Sequence, residues 1–337
     1  MENQSIFNRI VQKFVPSWYA MVMGTVGLSL IFYYASEIAN WFYWVGYGIF
    51  VFSVVIFVLF FIPWFLRFFI ATDNVKEDFT HPVRGSFFST MPISMLLISF
   101  AMLFYKDHTF LGASNSLVAV VIFWIGTLLV FIMGILVIVF LFFNEKIEVA
   151  HSNFAWFIPP VAHIIVTRVG LEFLNVFSKT TMGEIVFWVS LFCLGIGLFM
   201  YIFLGSIVMY RYIFHQVPSG EMSPTTFIQL APLGIFTTVF AKMLNLLGGV
   251  NIGIFAIISI MFWSFGIWWL IIAVITLISH IKENKLPFGL SWWAFVFPLV
   301  AMSLGTYAVS NLSSQGASVI FKGIFLSLGF TTSIVWI

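Results

Sequence analysis

Residues 41–70 read WFYWVGYGIFVFSVVIFVLFFIPWFLRFFI. Arg67 is the single charge in those thirty residues. A membrane helix needs about 20 apolar residues. As a helix rising about 1.5 Å per residue, the stretch reaches roughly 45 Å. No soluble core helix stays apolar on every face for that length, so the segment predicts a bilayer crossing.

The rest of the chain follows from that reading. Working outward, ten such segments are predicted: 14–36, 41–70, 86–105, 115–143, 153–176, 182–214, 224–248, 250–280, 288–312 and 315–337. The longest polar stretch, Ala71 to Gly85, leaves no room for a soluble domain. Residues 1–13 are expected to be a cytoplasmic N-terminus, and 14–337 a single ten-helix membrane domain. Polar residues lead into Phe14 with no small-x-small cleavage pattern, so the first span is expected to be retained.

Composition agrees. Hydrophobic residues make up 62% of the 337, aromatic residues 20% and charged residues 8%. A soluble domain carries about 25% charged residues. This chain lacks the charge to coat a soluble surface, which excludes a cytosolic enzyme, a nucleic-acid binder and a disordered chain. Its net charge of +2 is too small to imply a polyanionic partner. Cys193, the single cysteine, closes no internal disulfide and is expected to be buried packing. No HExxH, P-loop or nucleophile elbow is present, and neither metal nor cofactor is expected.

Loop cations set the orientation. The N-terminus and the connections after even spans hold Arg9, Lys13, Arg67, Lys76, Arg84, Lys146, Arg211, Lys282 and Lys285. Connections after odd spans hold Lys106 and Lys179. Both termini are therefore expected in the cytoplasm, with the chain in the cell membrane.

A coarse repeat runs through the chain. Pro16, Pro92, Pro159 with Pro160, Pro232 and Pro298 recur in or at the start of the odd spans, about 76, 67, 73 and 66 residues apart. Even spans lack proline apart from Pro63 and are built of Phe, Ile, Leu, Val and Trp. Odd spans carry Gly, Ser and Thr: Gly24, Thr25, Gly27 and Ser29 in the first, Ser303, Gly305 and Thr306 in the ninth. Polar groups in a bilayer face the bundle interior or water, and proline kinks a helix. The pattern predicts an all-α membrane protein of five hairpins. Odd helices, kinked at Pro16, Pro92, Pro159 and Pro232, surround a central pore, and even helices face lipid. Pro and Gly are also simply frequent in membrane helices, which is the blander reading.

Besides Arg67 and Arg211 near the ends of even spans, three cations fall inside spans: Arg168, Lys242 and Lys322. A cation at a helix centre costs about 2.5–3.5 kcal/mol on insertion scales. Lys322 lies early in the last span and is expected to snorkel. Arg168 has Glu172 four residues on, an ion-pair spacing. Lys242 has no carboxylate on its own helix. Two readings stand for each: a structural pair or snorkel, and a positive collar at an outer pore mouth that draws anions. Such a collar fits a divalent anion slightly better than chloride. His163, after Pro159-Pro160, is either a packing residue or a group that titrates near neutral pH.

Three stretches carry a resemblance. Phe79-Thr80-His81-Pro82-Val83-Arg84-Gly85-Ser86-Phe87-Phe88 leads into Met91-Pro92, and Trp292-Trp293-Ala294-Phe295-Val296-Phe297-Pro298 opens the ninth span. More loosely, Phe154 to Pro160 and Gln229-Leu230-Ala231-Pro232 open the fifth and seventh. Together they resemble the tellurite-resistance/dicarboxylate transporter family, which includes plant slow anion channels and fungal malate permeases. The resemblance implies a homotrimer with one pore per subunit, passing small inorganic or dicarboxylate anions. It also implies a gate at Phe297 beside Pro298. A bulky ring about ten residues into its span closes a narrow pore by sterics and dewetting. Arg84 either draws anions to the inner mouth or pins its loop to acids such as Asp78. A passive channel and a C4-dicarboxylate carrier both remain open, as does a membrane receptor without transport.

Overall fold

The computed structural model describes residues 6–109, 111–177, 179–215, 220–247, 252–283 and 286–337; side chains at 113, 221, 245, 247 and 252 are outside the description. Lys285, one of the orientation cations, lies outside the described residues.

Among them, ten helices are long and apolar enough to cross a membrane. They are Pro16–Ala35, Trp41–Ile70, Arg84–Phe104, Asn115–Phe143, Phe154–Phe173, Thr181–Phe214, Met222–Leu244, Gly253–Lys282, Leu290–Leu312 and Gln315–Trp336. Every predicted segment has its helix, with ends shifted by a few residues. The polar stretch after the second span is a short helix, Thr72–Thr80, not a loop. Another short helix, Ile6–Lys13, precedes the first span and lies against the second.

The two classes of span occupy different places. In the apolar stretch of each odd span 72% to 94% of residues are buried, against 17% to 33% in the even spans. The odd spans touch in sequence: first to third, third to fifth, fifth to seventh, seventh to ninth, and ninth back to first. That contact order closes a ring of five. Each even span packs on the odd span before it and turns residues such as Phe142 and Trp188 outward. The composition difference explains the partition. Phe, Ile and Val cost nothing in lipid, whereas Gly, Ser and Thr let backbones approach.

Each odd span starts with a 3-10 segment and continues as an α-helix, for example Phe154–Phe157 into Ile158–Phe173 and Leu290–Trp292 into Trp293–Leu312. Pro16 lies in the first such segment, while Pro92, Pro159 and Pro232 lie within the first three residues of their α-helices. There the backbone changes from i+3 to i+4 bonding, and a residue without an N–H sacrifices little. Pro298 sits deeper, as the sixth residue of its helix.

Several Ser and Thr hydroxyls of the odd spans tie neighbouring helices together, and others bond carbonyls of their own helix, as Thr25 and Thr237 do. Ser94 donates to the Tyr19 carbonyl at 3.2 Å, Ser99 to Ala119 at 2.7 Å, Thr167 to Ser190 at 2.9 Å and Ser303 to Phe325 at 3.1 Å. Without water, a neighbouring carbonyl is the nearest acceptor, and each such bond contributes about 0.6 kcal/mol. The expectation that Ser and Thr wall the pore is corrected accordingly. Of the Gly, Ser and Thr residues in the first, third, fifth, seventh and ninth spans, the cavity takes Gly27, Gly234 and Thr238.

Candidate functional site

The ring encloses a cavity of about 510 Å³. Its lining follows helical stripes: Gly27, Leu30 and Tyr34 on the first span, Leu97, Phe100 and Phe104 on the third. The fifth supplies Ile165, Arg168 and Glu172; the seventh Gly234, Thr238 and Lys242; the ninth Phe297, Val300, Leu304 and Asn311. Steps of three and four on every odd span mean that one face of each helix meets the cavity. The stripes run to the ends of the odd spans, at Glu37 and Leu312, so the cavity opens at the face opposite the termini.

The inner end is set by Gly27, Leu97, Ile165, Gly234 and Phe297, the lowest-numbered lining residue of each span. Phe297 is the largest of these and is 6% exposed. Its helix is clamped on two sides. A Cβ at Gly27 would lie 2.7 Å from a Val300 methyl, and one at Gly234 would lie 2.3 Å from the Ala301 carbonyl carbon. The backbone carrying Phe297 is thereby packed closely against the first and seventh spans.

The charges meet in the outer half of the cavity wall. Glu172 accepts from Arg168 Nη1 at 3.0 Å and from Lys242 Nζ at 3.1 Å, on its two carboxylate oxygens. Asn175 Nδ2 also donates to Glu172, at 2.9 Å. The Arg168 guanidinium lies 4.7 Å from the centroid of the Phe100 ring, a cation–π distance. These side chains are 14% to 19% exposed, so they are partly desolvated but reachable from the cavity. The sequence showed the Arg168–Glu172 spacing but not that Lys242 reaches the same carboxylate from another span. Helical periodicity pairs residues on one helix and is silent across helices. Arg168, Glu172 and Lys242 therefore form one three-charge cluster across two spans. Glu37 stands at the rim, 3.6 Å from Lys322 and accepting from the Tyr307 hydroxyl. Lys322 is thus in an exposed ion pair, as its interfacial position suggested.

His163 and Arg84 lie elsewhere. His163 faces the fourth span, its Nδ1 2.9 Å from the Pro159 carbonyl and its ring edge-on to Phe131. A Cβ at Gly134 of that span would lie 2.5 Å from His163 Cε1, so the glycine is where the imidazole packs. Arg84 is at the terminal face. It binds Glu77 at 2.8 Å and Asp78 at 2.7 Å, and Asp78 is also bound by Arg67 at 2.5 Å. His81 Nδ1 accepts from the Val83 and Arg84 backbone N–H groups at 3.1 and 3.2 Å. Burial pushes the His81 pKa below its ordinary value, with the Arg84 charge adding to it against Asp78 and Glu77. Trp156 Nε1 donates to the Pro82 carbonyl at 2.8 Å, tying this turn to the start of the fifth span. Ion pairs and hydrogen bonds thus tie the histidine–proline–valine–arginine turn to the preceding short helix and to the fifth span.

Comparison with known proteins adds to the geometry. The family described as voltage-dependent anion channel (SLAC1) matches residues 13–337. An uncharacterized transporter of Methanocaldococcus jannaschii is 33% identical over 305 residues, covering 90% of this chain and 85% of its own. A sulfite efflux pump of Trichophyton rubrum is 22% identical over 338 residues, covering 95% and 88%. The malic acid transport protein of Schizosaccharomyces pombe is 21% identical over 350 residues, covering 97% and 77%.

Proposed function

Since the chain belongs to the voltage-dependent anion channel family, we infer that it is a membrane anion channel whose path runs through the central cavity and is closed by Phe297. The observation that carries this reading is the cavity itself. All five inner helices line it, a single large ring stands at its inner end, and Arg168 and Lys242 stand in its wall. Membership of an anion-transport family also argues against an enzyme and against a receptor without transport.

The arrangement supplies what passive permeation requires. Cations near the open mouth raise the local anion concentration. A narrow apolar level beyond them resists water and ions until it widens. Phe297 changes that level by rotating about its own side-chain bonds, because Gly27 and Gly234 hold its backbone. Pro298 follows it directly. The termini are assigned to the cytoplasm from the loop cations, residues 1–13 to the cytoplasmic side, and the assembly is taken to be a homotrimer in the cell membrane, with one pore per subunit. His163 and Arg84 are given packing roles, and Pro16, Pro92, Pro159 and Pro232 are taken to bend the inner helices.

The test is anion flux in liposomes holding purified protein, with chloride, nitrate, sulfite and malate, with and without a pH gradient. Phe297→Ala is expected to raise flux on the order of tenfold, equivalent to about 1.4 kcal/mol off the barrier. Flux should follow the electrical gradient alone. No gain in the variant at equal incorporation would remove Phe297 as the gate.

One observation favours a second reading, a carrier for C4-dicarboxylates. The relative from Schizosaccharomyces pombe is a malic acid transport protein. Saturable malate uptake that needs a proton gradient, with no gain in Phe297→Ala, would select the carrier.

A further inference from the structure

We propose that Glu172 sets the charge selectivity of the cavity: it holds part of the anion-binding capacity of Arg168 and Lys242 and leaves a site suited to monovalent anions. This proposal rests on the reading of the cavity as an anion path. It revises the expectation that a collar of Arg168 and Lys242 fits a divalent anion slightly better than chloride.

The geometry is specific. Arg168 and Lys242 come from different spans, yet both bind one carboxylate, each at a separate oxygen. Glu172 is therefore a tethered acceptor seated between the two cations. It uses one of the five N–H donors of a guanidinium and one of the three of an ammonium. Both cations keep donors for a second acceptor. Two cations against one carboxylate leave one unit of positive charge. At the rim, Lys322 offsets Glu37 at 3.6 Å, so this pair adds no net charge.

The surroundings do not change that balance. The first span presents Tyr33 and Tyr34 to the cavity, the ninth Tyr307, and the third Phe100. From its own span Glu172 meets Arg168, with Asn175 in the turn beyond, and from the seventh it meets Lys242. A monovalent anion entering here is attracted by the cations and repelled once by Glu172. A dianion is attracted and repelled twice as strongly at the same distance, but its cost of leaving water grows with the square of its charge, so a partly desolvated wall with one net positive unit favours the monovalent ion.

The experiment compares sulfate with nitrate flux in liposomes, in the wild-type and Phe297→Ala backgrounds. Glu172→Gln should raise the sulfate-to-nitrate ratio roughly tenfold while nitrate flux persists. Glu172→Asp, which keeps the charge, should stay near the wild-type ratio. An unchanged ratio in Glu172→Gln with nitrate flux intact would overturn the proposal and leave the anion path standing. Absence of nitrate flux from the wild type and from Phe297→Ala alike would overturn the path and the proposal together. If Glu172→Gln does not assemble, Lys242→Gln reads the same quantity in the opposite sense, because Glu172 stays paired to Arg168. There the ratio should fall by a similar factor, and a ratio that does not move would overturn the proposal.

Discussion

Asp78 shows how far burial decides the worth of a single charge. Its side chain is 3% exposed and binds two arginines, Arg67 at 2.5 Å and Arg84 at 2.7 Å. Arg67, on the second span, is 1% exposed. Taking away the carboxylate leaves that guanidinium buried with its charge uncompensated, which costs about 3–5 kcal/mol in comparable pairs. Arg84 is 37% exposed and its second partner Glu77 is 71% exposed, so solvent screens that contact to about 0–1 kcal/mol. Asp78→Asn is therefore expected to lower the melting temperature of the detergent-purified protein strongly, and Arg84→Gln only slightly. Neither should alter the anion rank order, since neither residue lines the cavity. Equal melting temperatures for the two variants would refute the ranking by burial.

At the scale of the helix, the ninth span is the element on which the others close. Its contacts with the first and seventh spans depend on glycine in the partner helix. A Cβ at Gly234 would meet backbone atoms of Ala301 at 2.3 Å, and backbone cannot turn aside. Gly195 of the sixth span has nothing within 4 Å of the same position. Gly234→Ala is expected to destabilise by at least the 1–3 kcal/mol typical of overpacking. Gly195→Ala should be neutral or stabilising by about 0.4–1 kcal/mol. Thermal unfolding of the two variants separates these outcomes, and a tolerated Gly234→Ala would mean the seventh and ninth spans can move apart. The same helices show what the sequence made legible. Odd and even spans separated cleanly because lipid exposure selects for Phe, Ile and Val, which composition reads directly. Phe297, which lines the cavity, was singled out through the family resemblance of the stretch Trp292 to Pro298. Pro92, Pro159 and Pro232 were seen, but not their place near a 3-10 to α changeover, because that change is one of backbone hydrogen bonding. Ser303 of the ninth span bonds the Phe325 carbonyl, and the sequence did not show this, since a hydroxyl that bonds a neighbouring carbonyl has the same letter as one that faces water. Lys242 lost its apparent isolation through a carboxylate seventy residues earlier in the chain, a contact that no spacing rule on one helix reaches.

Over the whole molecule, five helix pairs place every even-to-odd connection on the face that holds the termini. The cavity opens on the other face, through the ends of the odd spans. The terminal face bears the buried and exposed cations Arg67, Arg84 and Lys146, whereas the far connections bear Lys106 and Lys179. Positive loops are retained on the cytoplasmic side during insertion. Under the proposed orientation the cavity mouth faces the outside, with the Glu172 cluster on that side of Phe297. The chain provides a clean way to test this, because Cys193 is fully buried and should stay silent to a polar thiol reagent. In a background that keeps Cys193, cysteine is placed singly at three exposed lysines. Lys179→Cys and Lys106→Cys should react with a membrane-impermeant maleimide in intact cells. Lys146→Cys should react only after the membrane is opened. The reverse pattern would turn the molecule over. The cations of the cavity would then face the cytoplasm, and an anion approaching from inside would meet Arg168 and Lys242 before it reached Phe297.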